Sequence, residues 1–289
     1  MTSPDYLTPF RAASDLIKVI RAFHGDPYLA RIDLEDLRNI LPETAMGRGI
    51  REIMTPMPAT NSEFEGALLR DPGDTSRWGI LYNGRASRER QRFTIAHEFG
   101  HLVLHRGLQS TFNCSKADVY ASLDDARDIE READDFAANL LMPGDQVKTI
   151  LDRPDLNFHH LSEAASEFGV SLEAVCLRFI KYTTQRAILI HWDSGFMKYR
   201  WRSDKAVRTG TRLTHRTGTV ATDRYINTLA SDELTAQQWD GEIIPAHHWC
   251  STEAPYMKLR ECKHTFSGQD RVLTLLFFES AEPRWQSAT

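Results

Sequence analysis

The spacing of apolar and polar positions predicts that the first half of the chain combines helices with a short sheet. Apolar residues recur every three or four positions over residues 12–23 and 32–41, which is typical of two amphipathic helices. Residues 64–69 and 78–83 are apolar runs on either side of the turn sequence at 71–74, and they predict two strands. Two longer amphipathic helices follow, with apolar stripes formed by Phe93, Ala96, Gly100, Val103 and Leu104 and by Ala133, Phe136, Ala137, Leu140 and Leu141.

In the second half of the chain, the sequence pattern changes from one typical of helices to one typical of strands. Residues 161–178 predict a helix, a turn at Gly169 and a second helix, the arrangement of a helix-turn-helix unit. The apolar runs 187–192 and 271–278 favour strands of a separate domain. The pattern therefore predicts an α+β protein in three parts. These are a helix-and-sheet domain over 1–145, a helix-turn-helix-like segment over 146–184 and a C-terminal mixed α/β domain over 185–289.

Composition and charge restrict the class of protein. The chain has 289 residues, 41% of them hydrophobic and 26% charged, as in ordinary globular proteins with room for two or three domains. A net charge of −5 means that any contact with nucleic acid must come from a local patch. The chain lacks a long apolar run and a signal-peptide pattern, so we expect a cytoplasmic protein without membrane contact. The four cysteines have no paired spacing, and we expect them to be reduced.

The sequence from His97 to His101 is the strongest candidate for chemistry. Residues four apart lie on one face of a helix, so both imidazoles can reach one metal ion. Glu98 follows the first histidine, at the position from which a general base can hold the attacking water in zinc hydrolases. The alternative is a surface helix that carries these side chains incidentally. A fourth group, His105, could support the site from behind or lie on its oxyanion side. The alternative is that it simply ends the helix, where the dipole favours it.

A catalytic zinc needs a third protein ligand, and the acidic run 130–134 offers candidates. Glu130 and Asp134 are four apart and share a face of the second amphipathic helix. One carboxylate could bind the metal while the other accepts the remaining N–H of a ligand histidine. Glu132 points elsewhere on the helical wheel and is the alternative ligand. The acidic run could also be a solvated helix start that suits the helix dipole.

The chain resembles the ImmA/IrrE family of metallo-endopeptidases over about residues 60–145. The resemblance rests on the motifs 92–105 and 130–143 together with the strand-like segment 79–83. It implies a zincin-like catalytic domain with one zinc per chain in a gluzincin-like site. The implied ligands are His97, His101 and Glu130, with Glu98 as the base, and Asp134 then takes the supporting position.

The resemblance also implies a biological role. Family members typically cleave a helix-turn-helix repressor, so we expect a regulatory protease that acts after stress or DNA damage. Some members end in a GAF-like sensor domain, which the C-terminal part resembles in length and mixed pattern. The alternative is a DNA-binding transcription regulator that uses residues 161–181 and retains a vestigial metal site. Intact Glu98 argues against this alternative, because a structural zinc does not need a base.

A basic stretch in the C-terminal part is the candidate for an activating signal. Seven cations lie between residues 198 and 216 against a single acid, Asp204. Aromatic residues are interleaved with them, a pattern that suits single-stranded nucleic acid, whose phosphates bind cations and whose bases stack. The alternative is an exposed strand edge protected by charge. The candidate contacts to single-stranded DNA are Lys198, Tyr199, Arg200, Trp201 and Arg202.

Two further expectations concern the surroundings of the metal. Cys114 lies in the polar segment between the two metal helices, and a thiolate there could occupy the open zinc position and keep the enzyme inactive. The alternative is a loop cysteine without a role. The strand that includes Tyr82 is expected to form a sheet edge to which an extended substrate could add by main-chain hydrogen bonds.

Overall fold

The computed structural model describes residues 7–29, 31–60, 64–115, 124–151, 153–219, 239–251, 253–266 and 270–278. The side chains of 64, 113–115 and 124–127 lie outside this description. The chain divides into two units, one of residues 1–146 with 166–171 and the other of 147–165 with 172–289. The three-part division expected from the sequence stays a prediction. Every helix in the described part of the chain is too short or too polar to span a membrane.

Two helices open the first unit, at the places that the apolar spacing predicts. Helix α1 (Pro9–His24) begins at Thr8, whose side chain accepts a hydrogen bond from the Arg11 amide, and it ends at Gly25 with φ +65°. Helix α2 (Leu34–Ile40) is capped in the same way by Asp33. The apolar face of α1 is buried and packs against the fourth helix, at Ala12, Ala13, Leu16, Ile17 and Ile20.

The first sheet places the predicted strand pair at its centre. Its strands are β1 (Glu52–Ile53), β2 (Met57–Ala59), β3 (Phe64–Arg70), β4 (Arg77–Asn83) and β5 (Thr111–Ser115), in the order β1-β4-β3-β5 with β2 also on β4. Strand β4 pairs with β3 on one side and with β1 and β2 on the other. The expectation that the strand of Tyr82 is a sheet edge is therefore wrong. Among the described strands, β5 is the outer one next to β3.

The two amphipathic helices of the metal motifs pack on each other. Helix α3 (Arg88–Gly100) begins at Ser87, whose hydroxyl accepts from the Arg90 amide at 3.2 Å. It continues as a π-helical turn, His101–His105, before the chain leaves for β5. Helix α4 (Asp124–Leu141) crosses α3 with a buried apolar face that includes Ala133 and Phe136. The segment between the two helices is thus not only a polar loop, because β5 extends the sheet.

The remaining elements belong mainly to the second unit. They are α5 (Gly144–Leu151), α6 (Phe158–Phe168), α7 (Leu172–Tyr182), β6 (Ala187–Asp193), β7 (Phe196–Arg202), α8 (Asp204–Arg208), β8 (Glu242–Pro245), β9 (Lys258–Thr265) and β10 (Arg271–Phe278). The sheet is antiparallel, with the order β7-β6-β10-β9-β8. A helix pair followed by a sheet agrees with the predicted α+β class. The core of this unit includes Trp192 and Trp249, and Arg186 forms a fully buried ion pair with Glu253.

Candidate metal centre

Three side chains of the first unit converge on one point. The Nε2 atoms of His97 and His101 lie 3.0 Å apart. One carboxylate oxygen of Glu130 lies 3.2 Å from His97 Nε2, and the other lies 3.3 Å from His101 Nε2. Both histidines are buried, and Glu130 is partly exposed. Among the described residues these three form the metal-capable group of the chain.

The backbone explains why these residues meet. His97 and His101 are one turn apart at the C-terminal end of α3, so their rings project from the same face. Glu130 comes from α4, which crosses this end of α3 closely because Gly100 has no side chain. A Cβ at Gly100 would lie 2.9 Å from the Cα of Ala133. The close crossing lets a carboxylate on one helix reach two imidazoles on the other.

The spacing of the ligand atoms fits a tetrahedral metal ion. In a zinc site, the distance from the metal to a nitrogen or carboxylate oxygen is about 2.0–2.1 Å. In tetrahedral geometry, neighbouring ligand atoms are therefore roughly 3.3 Å apart. The atoms of His97, His101 and Glu130 are 3.0–3.3 Å apart. Two imidazoles and one carboxylate are the donor set of many catalytic zinc sites, which leave the fourth position open.

The charge states of the cluster also suit a metal. Burial alone would raise the pKa of Glu130, but hydrogen bonds from His101 and His97 outweigh it and hold this pKa well below its usual range. Burial lowers the pKa of His101, and the hydrogen bond to Glu130 opposes this only in part. At neutral pH the carboxylate is therefore charged and the His101 ring is neutral, the states in which both groups bind metals.

Each ligand histidine has a partner for its other ring nitrogen. His97 Nδ1 lies 2.8 Å from a carboxylate oxygen of Asp134, as the four-residue spacing from Glu130 suggests. His101 Nδ1 lies 3.2 Å from Nδ1 of His105, whose Nε2 lies 2.9 Å from Glu132. Glu132, the alternative third ligand, thus contacts His105 and is not a member of the cluster. The third histidine, four residues after His101, was the signal in the sequence for this partner.

Glu98 lies in a fully buried position against the first sheet. Gly66 of β3 passes so close that a Cβ there would lie 2.5 Å from Glu98 Oε1 and 2.5 Å from Cγ2 of Thr94. Only a glycine leaves room for this carboxylate. The main chain of Cys114 pairs with Gly66 in the β3–β5 ladder, but its side chain lies outside the described residues. Its contact with zinc therefore stays a prediction.

The basic stretch of the second unit lies on β7, the outer strand of the second sheet. Arg200 donates to the carbonyl of His215 at 2.9 Å, and Arg202 donates to the carbonyl of Thr211 at 3.1 Å. Tyr199 and Trp201 are neighbours, with ring centroids 5.6 Å apart. Because side chains alternate along a strand, the arginines and the aromatic rings lie on opposite faces. Arg200 and Arg202 therefore do not share a face with Tyr199 and Trp201.

Helices α6 and α7 lie where the sequence predicts a helix pair, with a turn at Gly169 that has φ +66°, and their assignment as a helix-turn-helix unit stays a prediction. Helix α7 packs against β6, and its cation Arg178 is 3% exposed. The guanidinium of Arg178 donates to the hydroxyl of Tyr182 at 3.0 Å and lies 4.4 Å from that ring. This arginine therefore contacts a residue of its own helix.

A cavity of about 630 Å³ lies within the second unit. Its walls combine phenylalanine side chains with cationic groups and contain no carboxylate among the lining residues. Such a combination suits a partly apolar anion. The lining residues used below are Lys205, Ile243, Arg260, Phe277 and Phe278.

The chain is similar to a known family, to a curated protein and to a solved structure. Residues 46–179 match the family described as the IrrE N-terminal-like domain. The "Radiation response metalloprotease IrrE" of Deinococcus radiodurans is 28% identical over 162 residues, 53% of this chain and 47% of that protein. The chain thus spans about half the length of this curated relative. A solved structure titled "Mycobacterium tuberculosis transcriptional regulator" covers 92% of this chain and 88% of its own, with a TM-score of 0.48 and 13% identity.

Proposed function

From the match of residues 46–179 to the IrrE N-terminal-like domain, we propose that the chain is a zinc-dependent regulatory endopeptidase of the ImmA/IrrE family. The observation that carries the proposal is the convergence of His97, His101 and Glu130 on one point. Two nitrogens and one oxygen at these distances favour zinc over magnesium or calcium, which prefer oxygen ligands and higher coordination. The domain is accordingly zincin-like, with one zinc per chain.

The protein's own residues divide the chemistry of peptide hydrolysis. When bound, zinc supplies a Lewis acid that polarises the scissile carbonyl and activates water. Glu98 is the general base, which takes a proton from the attacking water and delivers it to the leaving amine. Burial against Gly66 holds its carboxylate in one place. Asp134 orients the ring of His97 through the hydrogen bond to Nδ1.

The proposed substrate is a helix-turn-helix repressor that the enzyme cleaves after stress or DNA damage. The family resemblance supports this substrate class, and the sheet offers a way to hold it. Strand β5 is the outer strand among those described, and its Phe112 ring stacks on His101 with centroids 4.6 Å apart. An extended segment that adds to such an edge gains main-chain hydrogen bonds next to the metal ligands.

The experiment incubates the purified protein with the repressor encoded by the neighbouring gene, with zinc, and identifies fragments by mass spectrometry. We expect one cleavage in the parent protein and none in Glu98→Gln, which keeps the metal but lacks the base. Cleavage that continues in Glu98→Gln, or resists removal of the metal by a chelator, contradicts the proposal.

The alternative function is a DNA-binding transcription regulator with a vestigial metal site. Helix α7 would be its reading helix, since it follows the turn at Gly169. The buried position of Arg178 weakens this alternative, because the guanidinium is directed to Tyr182. Sequence-specific binding of duplex DNA that survives in Glu98→Gln and is lost in Lys181→Ala would favour it. Fluorescence anisotropy with labelled duplexes measures this binding.

The second unit is proposed to be a GAF-like sensor that controls the protease. The cavity lined by Lys205, Arg260 and Phe278 supports a ligand-binding role. Lysine and arginine attract an anion, and the phenylalanine rings accept its apolar part. Thermal-shift measurements with nucleoside monophosphates and the matching uncharged nucleosides test this role. A response to neither class, or an equal response in Lys205→Glu, contradicts it.

Two regulatory contacts complete the proposal. Single-stranded DNA is the proposed activator, held at β7, where Tyr199 is exposed and neighbours Trp201. Cys114 is the proposed cap of the zinc in the resting enzyme. Its position two residues after Phe112, in a strand whose Phe112 ring contacts His101, supports this role.

A further inference from the structure

The ring of His101 is connected to α4 by a chain of polar contacts outside the ligand cluster. Its Nδ1 lies 3.2 Å from Nδ1 of His105, and His105 Nε2 lies 2.9 Å from Oε2 of Glu132. His101 and His105 are 0% and 3% exposed. In such a buried place each ring nitrogen has to be matched to a donor or an acceptor.

The positions of the protons in this series of polar contacts follow from one requirement. A histidine that binds a metal through Nε2 has no proton there, so His101 carries its proton on Nδ1. This proton is donated to Nδ1 of His105, which must then be unprotonated. His105 therefore carries its own proton on Nε2 and donates it to the Glu132 carboxylate. With this choice of tautomers every contact in the chain has one donor and one acceptor.

His105 lies in the π-helical turn that follows α3. Residues 101–105 form a wider turn than an α-helix, with hydrogen bonds between residues five apart. His105 follows His101 by four residues, and their ring centroids lie 5.3 Å apart. The proton positions given above require a neutral His105 ring. A neutral ring can accept at one nitrogen and donate at the other.

We propose that His105 and Glu132 are positioning residues for the metal ligand His101. They hold its ring so that Nε2 faces His97 and Glu130, as Asp134 holds the ring of His97. The proposal rests on the proposed function only in that the cluster binds zinc. It gives α4 three separate tasks, because Glu130 binds the metal and the carboxylates of Glu132 and Asp134 fix the two histidines.

Zinc affinity is the first readout, measured by competition with a chromophoric chelator and without any substrate. Loss of a partner behind a ligand histidine typically weakens metal affinity about 10–100-fold. We expect this loss in His105→Phe, which keeps the ring packing, and in Glu132→Ala. The double variant should be no weaker than the weaker single variant, because both residues act through the same hydrogen bond to His101. Glu132→Gln retains an acceptor oxygen and should restore most of the affinity.

The matched control is Arg131→Ala. Arg131 is on the same helix, next to Glu132, but its side chain is 72% exposed and pairs with Asp128 at the surface. We expect its zinc affinity to equal that of the parent. Thermal unfolding of the metal-free proteins separates positioning from general stability. A role in stability alone would lower the unfolding temperature of His105→Phe and leave its zinc affinity unchanged.

The tautomers provide a second readout. Long-range proton–nitrogen NMR spectra of the zinc protein distinguish a ring protonated on Nδ1 from one protonated on Nε2. We expect the Nδ1–H form for His101 and the Nε2–H form for His105. A His105 ring with the opposite tautomer, or zinc affinities within twofold of the parent in both single variants, overturns the proposal.

Failure of the proposed function has a different signature. A parent protein that binds zinc but cleaves no repressor contradicts the proposed protease, while the affinities and tautomers still decide the roles of His105 and Glu132. A parent protein without measurable zinc binding overturns the metal centre and the positioning role together. Where His105→Phe does not fold, the partly exposed Glu132→Ala decides the matter alone.

Discussion

Gly100 of α3 lies against Ala133 of α4 so closely that a Cβ on the glycine would lie 2.9 Å from the alanine Cα and 3.1 Å from its carbonyl oxygen. Both residues of this contact are close in sequence to proposed metal ligands. Gly100 precedes His101 by one residue, and Ala133 follows Glu130 by three. The distance between the two helices at this point therefore sets the distance between the proposed metal ligands on α3 and α4.

Substitution of Gly100 tests this relationship. Alanine normally stabilises a helix by about 1 kcal/mol relative to glycine. Here the added methyl meets backbone, which cannot move aside, so we expect Gly100→Ala to destabilise the fold by about 1–3 kcal/mol and to weaken zinc binding at least tenfold. Urea unfolding and chelator competition measure the two effects. Gly107→Ala is the control, since no atom lies within 4 Å of a Cβ there. A more stable Gly100→Ala protein would contradict the close crossing.

Gly66→Ala tests the position of the proposed base, Glu98, without changing a proposed metal ligand. The new Cβ would overlap Glu98 Oε1 and Thr94 Cγ2, so the carboxylate must move. A displaced catalytic group of this kind lowers the rate by roughly 100-fold. We expect a fall in kcat of this order with about one zinc retained per chain, measured by cleavage kinetics and metal analysis. An unchanged kcat would mean that the position of Glu98 is not critical.

Substitutions at Glu98, Glu130 and Asp134 should separate metal binding from catalysis. Glu98→Gln is expected to keep about one zinc per chain and to lose proteolysis. Glu130→Ala should lose zinc, because only two protein ligands remain. Asp134→Ala should bind zinc about 10–100-fold more weakly. Atomic absorption after gel filtration gives the metal content. Full retention of zinc in Glu130→Ala would show that another group is the third ligand.

Cysteine alkylation tests both burial and the proposed cap. Burial raises the pKa of Cys250 and Cys262 to about 12, and it also raises the pKa of the fully buried Cys176. The reactive form is the thiolate, whose fraction at pH 8 is about 10⁻⁴ for a pKa near 12 and grows about tenfold for each unit of pH below that value. In the native protein we therefore expect iodoacetamide to modify at most Cys114 at pH 8, and all four cysteines only after unfolding.

The metal should protect Cys114 if this residue caps the zinc. Removal of zinc is then expected to increase its rate of alkylation, and Cys114→Ala should cleave the repressor without an activator. Peptide mass spectrometry identifies the modified residue. Equal rates with and without zinc, together with an unchanged basal activity of Cys114→Ala, would exclude the cap.

Single-stranded DNA is expected to bind the second unit with a steep dependence on salt, because neutralised phosphates release counterions. The replacement of Tyr199 and Trp201 by alanine should weaken binding by about 1–3 kcal/mol for each stacked base that is lost. Arg200 and Arg202 bind carbonyls of the same unit, so their substitution also disturbs the fold. Lys198→Ala is the cleaner test of charge. Anisotropy that does not change with salt or with these substitutions would leave β7 as a charged sheet edge.

Local spacing was sufficient to predict where the metal ligands meet, because one turn of helix places His97 and His101 on the same face. The same spacing on α4 related Glu130 to Asp134, and the family resemblance selected Glu130 among three carboxylates. The roles of these residues stay proposals, although the structure brings them together as predicted.

Other features depend on contacts that no local pattern contains. The π-helical turn at 101–105 and the contact of His105 with Glu132 were not predicted from the sequence. The prediction that the strand of Tyr82 lies at the edge of the sheet was wrong. Strands β1 and β2, of two and three residues, are too short to be recognised as strands in the sequence. On β7, strand alternation places Arg200 and Arg202 on the face opposite Tyr199 and Trp201.

The spacing of the three carboxylates on α4 limits how the length of this chain can vary. One residue inserted between Glu130 and Asp134 rotates the part of α4 beyond it by about 100°. Such an insertion would turn Asp134 away from the proposed zinc ligand Glu130, and it would also turn Glu132 away when it precedes that residue. Residues inserted between β5 and α4 would lengthen only a connection, at a small entropic penalty that grows slowly with length. Natural relatives with an intact site should therefore differ freely in the length of that connection and keep the five positions from 130 to 134 without insertions or deletions.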